Sequence, residues 1–181
     1  ILKSSSTAVD TIDEIRVAID RFLTTCDMVL ISGGVSAGDF DYVPNVLRGL
    51  EVKLHFEKIA IQPGKPTVFG TREENIVFGI PGNPVSTFVI FEILIKPLLF
   101  KMMGHEYQPK TIQAKMRERF NRRGAERTAY IPIYNQDEYV DLLPYHGSAH
   151  IHALSKANGL ICIPRGEHEI LAGTKVNVRQ I

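Results

Sequence analysis

At 181 residues, 44% hydrophobic and 23% charged, the chain is long enough for one ordinary domain, or a medium domain with a small one. Fourteen glycines and ten prolines exclude a collagen-like repeat or a long disordered tract, and a net charge of +1 demands neither nucleic acid nor an anionic membrane as partner. Cys26 and Cys162 form no CxxC pair, which excludes a disulfide framework and a structural zinc site and points to buried free thiols in a reducing cytoplasm.

From Val9 to Leu23 apolar residues recur at helical spacing between Asp10, Asp13, Glu14, Arg16 and Arg21, which predicts an amphipathic helix with Ser and Thr available to cap it. Met28 to Ile31 is a short apolar run ended by Ser32-Gly33-Gly34, the pattern of a buried parallel strand. A second helix is expected over Tyr42 to Leu50. Lys53 to Ile61 alternates by twos with a slip near its middle, and Thr67 to Gly70 and Ile76 to Ile80 are two more short strands. A long helix runs from Pro84 to about Met103. Its stretch from Phe88 is interrupted by Glu92, Lys96 and Pro97 and is shorter than the roughly 20 residues a membrane span needs.

This order predicts an α/β sandwich with a mainly parallel sheet. No strand precedes the first helix, and the chain starts at Ile1 without methionine, so it reads as a piece of a longer protein whose first strand is missing. After Gly104 to Pro109 the texture changes. Short strand-like runs over Ile112 to Phe120, Ala129 to Tyr134, Tyr139 to Leu143, Leu160 to Pro164 and Lys175 to Ile181 predict a small all-β, barrel-like module. The predicted domains are 1–106 and 107–181.

Three Gly/Pro-rich junctions follow predicted strands, where open α/β sheets bind their ligands. In Ser32-Gly33-Gly34-Val35-Ser36-Ala37-Gly38-Asp39-Phe40-Asp41-Tyr42, three glycines free the backbone to aim N–H groups at an anion. Neither a Walker loop nor GxGxxG spacing is present. Asp39 and Asp41 either hold a divalent cation beside that anion, or Asp41 caps the next helix. Gln62-Pro63-Gly64-Lys65-Pro66 fixes an ammonium in a stiff turn, which alone is an ordinary exposed lysine. In Ile80-Pro81-Gly82-Asn83-Pro84-Val85-Ser86, Asn83 caps and Pro84 opens a helix whose free N–H groups suit a phosphate-like ligand, or which is simply well capped. Together the three imply an anionic, multi-phosphate ligand and name no reaction. His150 and His152 share a strand face, with His146 and His168 as distant third ligands, and read as polar loop residues. No nucleophile elbow supports acyl transfer.

In this order the three junctions resemble the molybdopterin molybdenumtransferases, which include bacterial MoeA and the E domain of gephyrin. Ala157-Asn158-Gly159-Leu160 and Leu171-Ala172-Gly173-Thr174-Lys175-Val176 extend the likeness to the end of the chain. The resemblance implies a MogA-like three-layer α/β domain that holds adenylyl-molybdopterin, followed by the family's small C-terminal β domain. It implies insertion of molybdate into that pterin with Mg2+, giving molybdenum cofactor and AMP in the cytoplasm.

On the same resemblance, Asp41 and Lys65 carry the catalysis and Asp39 and Asp41 hold the metal. Ser32, Gly33, Gly34, Ser36, Gly38, Asp39, Pro66, Gly82, Asn83, Pro84, Ser86 and Arg127 bind the anionic substrates. Ile80 stands where leucine is common and Asp39 where glutamate is common. Family members carry an N-terminal half, form homodimers largely through it, and suggest contact with a molybdopterin adenylyltransferase. Two other readings are a non-catalytic pterin-binding or scaffold module, and a MogA-type adenylyltransferase. The β module argues against the latter.

Overall fold

The computed structural model describes residues 2–35, 42–143 and 151–181. Two compact units form: Ile1–Ile59 with Gly64–Gly82, and Ala60–Pro63 with Asn83–Ile181.

In the first unit, α1 (Ile12–Leu23) begins at the N-cap Thr11, carries Asp13 and Glu14 in its first turn and Arg21 in its last, and so complements its own dipole. Its inward stripe is Ile15, Ile19 and Leu23 at i, i+4, i+8. Of the other apolar residues in that segment, Val9, Ile12 and Val17 stay more than half exposed. After α1 come β1 (Met28–Ser32), α2 (Val43–Gly49) and β2 (Lys53–Phe56). The chain passes through β3 (Ile61–Gln62), which belongs to the second unit, then returns as β4 (Val68–Arg72) and β5 (Asn75–Ile80).

The sheet order is β1-β5-β4-β2. Only β1 and β5 run parallel; β5–β4 and β4–β2 are antiparallel. The expected mainly parallel sheet is therefore a mixed one. The cause is the link between β4 and β5: only Glu73-Glu74 separates them, with Glu73 at φ 52, and so short a link closes a hairpin and cannot cross over. The one strand expected over Lys53 to Ile61 is two, β2 and β3 in different sheets, and the irregularity within β2 lies earlier than the expected slip, between Leu54 and Phe56. The helices cover one core of Ile15, Ile19, Leu23, Val29, Val46, Leu47, Val68 and Val77.

In the second unit a continuous helical stretch is α3 (Pro84–Ile90), a π-helical turn (Phe91–Ile95) and α4 (Lys96–Met102). Pro97 explains the widening: it has no N–H to give the carbonyl one turn back, and its ring crowds that carbonyl. The Lys96 N–H reaches back to the Phe91 carbonyl instead. The β module comprises β6 (Thr111–Met116), β7 (Phe120–Asn121), β8 (Thr128–Gln136), β9 (Tyr139–Leu142), α5 (Ile151–Lys156), β10 (Gly159–Ile163), β11 (Glu169–Ile170) and β12 (Lys175–Gln180). Strands β10-β12-β6-β9-β8 close into a five-stranded barrel through the β8–β10 pairing, and β3 adds to β8 in parallel. Ala114, Met116, Ala129, Ile133, Val140, Ile161, Ile163 and Val178 fill it at alternate positions.

Glu92, in the π turn, is 6% exposed. Lys96 Nζ donates to its two carboxylate oxygens at 3.0 and 3.1 Å, and the Arg179 guanidinium of β12 lies 3.9 Å from Oε2 and donates to the Glu92 carbonyl. Burial lowers the Lys96 pKa, but the hydrogen bond and charge of Glu92, helped by Tyr107, outweigh it, so the net shift is upward. The cysteines differ from expectation: both are free thiols, but Cys162 is exposed and Cys26 half-buried. Each sits where strand alternation or a turn leaves it, not in the core.

Two expectations follow. Glu92→Ala takes both carboxylate bonds from Lys96 and the nearby charge from Arg179, and should lower the urea-measured unfolding free energy by about 3 kcal/mol; a loss below about 1 kcal/mol would class the pair with exposed ones. Because the folded pKa of Lys96 is raised above 10.5, its contribution is whole below that pH and is lost as pH rises past it. The stability gap between wild type and Lys96→Met should therefore stay constant up to about pH 10 and narrow only as pH rises further in urea titrations.

Candidate functional site

The first junction leaves β1 at its carboxyl end. Ser32 is opposite Ile80 in the parallel β1–β5 register, so the second glycine turn leaves the same sheet edge. Gly33, at φ +93, donates its N–H to the Ile80 carbonyl at 3.0 Å, and a Cβ at Gly82 would be 3.5 Å from Gly33 Cα. Two turns thus lie side by side with room for about one methyl group between them, and Gly33 and Gly34 adopt a left-handed backbone that other residues rarely take. Gly34 accepts the Val43 N–H at 3.1 Å. Among the described residues, no acceptor takes the N–H groups of Gly34, Val35 or Gly82.

Lys65 starts from that edge too. β4 is antiparallel to β5, with Val68 opposite Gly79, so the amino end of β4 lies beside the carboxyl end of β5. The Lys65 carbonyl accepts the N–H groups of Ile59 at 3.0 Å and Thr67 at 2.9 Å. Thr67, fully buried, donates its hydroxyl to the Gly64 carbonyl at 2.7 Å. The turn is pinned at both ends while the Lys65 side chain is exposed and Pro66 half-buried. Thr67 was not picked out by its sequence context; a single hydroxyl after proline carries little signal.

Asn83, Pro84 and Ser86 belong to the second unit. Asn83 and Pro84 cap α3 as expected, but the N–H groups there are not free. Pro84 has none, Val85 and Ser86 donate to Asn83 Oδ1 at 3.0 and 3.2 Å, and Thr87 donates to the Asn83 carbonyl at 2.9 Å. The cap that starts the helix consumes the donors expected to hold an anion. Ser86 is buried. Arg127, also in the second unit, is half-buried. Its carbonyl accepts from Arg122, whose three guanidinium nitrogens bond the carbonyls of Glu167, Arg127 and Pro164 at 2.6–2.8 Å. Arg122 therefore shapes the loop before Arg127, a role its place in an Arg-Arg-Gly run did not reveal.

Ser36, Gly38, Asp39 and Asp41 lie outside the described residues. His146 and His150 are also outside, and among the described residues no group of three His, Cys, Asp or Glu could hold a metal. No described helix is long and apolar enough to cross a membrane.

A cavity of about 430 Å³, lined by Arg16, Val17, Asp20, Gly49, Leu50, Glu51 and Arg72, lies at the other end of the sheet, beside the β4–β5 turn. Its Arg72 is already bonded to Asp20 at 3.1 Å and the Leu50 carbonyl at 3.4 Å. That hollow is open to solvent, and unspent donors and an exposed lysine favour the glycine edge, since donors are what an anion needs.

Residues 2–101 match the family described as "Probable molybdopterin binding domain", and residues 113–181 match the "MoeA C-terminal region (domain IV)". The chain is 30% identical to the molybdopterin molybdenumtransferase of Staphylococcus epidermidis over 93% of its own length and 41% of the relative's. It is 32% identical to molybdopterin molybdenumtransferase 2 of Mycobacterium tuberculosis over 97% of its length and 45% of that protein's. The solved molybdopterin biosynthesis MoeA protein of Pyrococcus horikoshii superposes with a TM-score of 0.82 at 28% identity, over 96% of this chain and 42% of that one. The chain thus spans less than half the length of these relatives. With both of its segments matched in order, it belongs to the MoeA family of molybdenum cofactor biosynthesis proteins.

Proposed function

We propose that the protein to which this chain belongs inserts molybdate into adenylyl-molybdopterin, releasing molybdenum cofactor and AMP, and that the glycine edge of the first unit is where the anions are brought together. The observation that carries this reading is the shared edge: the Gly33-Gly34 turn bonded to Ile80 beside Gly82, with the Lys65 turn starting from the same edge. Molybdate is a dianion and the pyrophosphate link of the pterin is also anionic. Two like charges about 4 Å apart near a protein surface repel by about 4 kcal/mol. A hydrogen bond to a charged group returns about 1.5–3 kcal/mol, so three amides and one ammonium are on the scale required.

In this reading Ser32, Gly33, Gly34, Ser36 and Gly38 cradle the pyrophosphate, and Lys65, held by Pro66 and its turn, meets the molybdate. Asp39 and Asp41 offer the hard oxygen donors that Mg2+ takes, and the ion would supply further positive charge there. Gly82, Asn83, Pro84, Ser86 and Arg127 are assigned to substrate through their match to the family's motifs, Ser86 through its hydroxyl. The domain division is proposed near residue 106, which the limits of the two family matches support. A cytoplasmic setting, a homodimer of the full-length protein and contact with a molybdopterin adenylyltransferase are proposed on the same family grounds. The domain IV match speaks against a MogA-type adenylyltransferase.

The test is full-length protein given adenylyl-molybdopterin, Mg2+ and molybdate. AMP release should depend on molybdate. Tight pterin binding without that release would instead indicate a non-catalytic binding or scaffold module. Asp41→Asn should fold normally and cut AMP release by about tenfold or more, about 1.4 kcal/mol of barrier. Unchanged turnover in that variant would remove Asp41 from the mechanism.

A further inference from the structure

Glycine is a poor strand residue unless another group must come close. Gly79 sits one residue before the end of β5, in a run otherwise rich in apolar side chains. A Cβ there would be 2.7 Å from Val35 Cγ1, 3.2 Å from Val68 Cβ and 3.6 Å from Val43 Cγ1. A Cβ at Gly34 would be 2.9 Å from Val43 Cγ2. One valine therefore fills the space left by two missing side chains, with one methyl toward each glycine. Val35, Val43 and Val68 are all buried, so none can swing into solvent to make room. Val43 also donates its N–H to the Gly34 carbonyl at 3.1 Å, which ties this packing directly to the backbone of the anion turn.

We propose that Gly79 is a positioning residue for the Gly33-Gly34 turn: by carrying no side chain, it lets Val35 and Val43 seat against β5 and so fixes the direction of the Gly34 and Val35 N–H groups. Gly79 acts through the two valines and touches no ligand itself. The backbone of Gly79 is not in the left-handed region, so alanine meets no backbone objection there and its effect is steric alone. A displaced Val35 carries its own N–H with it, which is why a methyl group inside the sheet would be felt at the sheet edge. The proposal rests on the anion-binding reading of this edge.

The test uses the full-length protein with Gly79→Ala, Val35→Ala and the double variant. Calorimetric titration with inorganic pyrophosphate reads the turn, and amide exchange of Val43 reads the packing independently of any ligand. Gly79→Ala should weaken pyrophosphate binding by about tenfold. It should also speed Val43 exchange while thermal unfolding stays cooperative. Adding Val35→Ala removes the crowded methyl and should restore much of both. Two merely destabilising changes would add instead, so rescue is the outcome that structural damage does not produce. Wild-type affinity and wild-type Val43 exchange in Gly79→Ala would overturn the proposal, as would a double variant worse than either single one. If the wild type binds no pyrophosphate, the anion-binding reading fails, and Val43 exchange with its rescue still decides the role of Gly79. Should Gly79→Ala not fold, Val43→Ala takes its place: it withdraws the wedge without crowding, and unchanged pyrophosphate affinity and Gly34 exchange in it would equally overturn the proposal.

Discussion

The parallel pairing of β1 with β5 is the constraint on which the candidate site depends. Five consecutive residue pairs, from Met28 with Ile76 to Ser32 with Ile80, bring both strands to the same edge in the same register. A slip of one residue would turn Val29 and Val77 away from the core, where they are now buried, so the hydrophobic pattern enforces the register. The glycine turns then meet because the strands that deliver them cannot do otherwise. The hairpin that makes β4 antiparallel to β5 has the same consequence for Lys65: it returns the start of β4, and not its end, to that edge.

Which amides are spent distinguishes the two kinds of glycine junction. At the start of α3 the asparagine cap and the proline leave no early N–H without a partner, so the helix terminus offers its dipole and little else. The Gly33-Gly34 turn, with its left-handed backbone, turns amides away from the ladder once Gly33 has bonded Ile80. An anion at this edge is therefore served by turn geometry, the nest-like arrangement of successive N–H groups, more than by a helix end.

The sequence signalled these features unevenly, for physical reasons. The barrel strands could be read because apolar residues such as Ala129, Ile131 and Ile133 recur at every second position, but nothing local announces that β10 pairs with both β8 and β12 to close the ring. The Asn83-Pro84 start of α3 is a local chemical event and was legible. That its cap would use the N–H groups was not, since the same residues are compatible with either outcome. The antiparallel hairpin of β4 and β5 is not announced in the sequence, because Glu73-Glu74 lacks the Gly or Asn that marks a tight hairpin; Glu73 takes the left-handed conformation regardless. Gly79 passed unnoticed because a strand glycine shows its purpose only when its neighbours, Val35 and Val43 from a distant stretch of chain, are in place.

Glu92 shows how an apparent interruption can be a fastening. In sequence it breaks an apolar helix, as does Lys96; in the fold the two pair at i, i+4 and meet Arg179 from β12. Removing two charges from water costs several kcal/mol per ion, and their attraction often no more than repays it, so the pair is a poor source of net stability. Its geometric effect is more selective. Arg179 bonds a backbone carbonyl inside the π turn, where Pro97 has already disturbed the regular ladder, and its neighbour Val178 is wholly buried in the barrel. A helix sliding by one turn along the barrel would carry Lys96 with Glu92 but strip Arg179 of the Glu92 carbonyl and carboxylate. The cost of leaving the mostly buried Arg179 guanidinium without those partners, and not the strength of the Glu92–Lys96 pair, favours one register of helix on barrel within this unit.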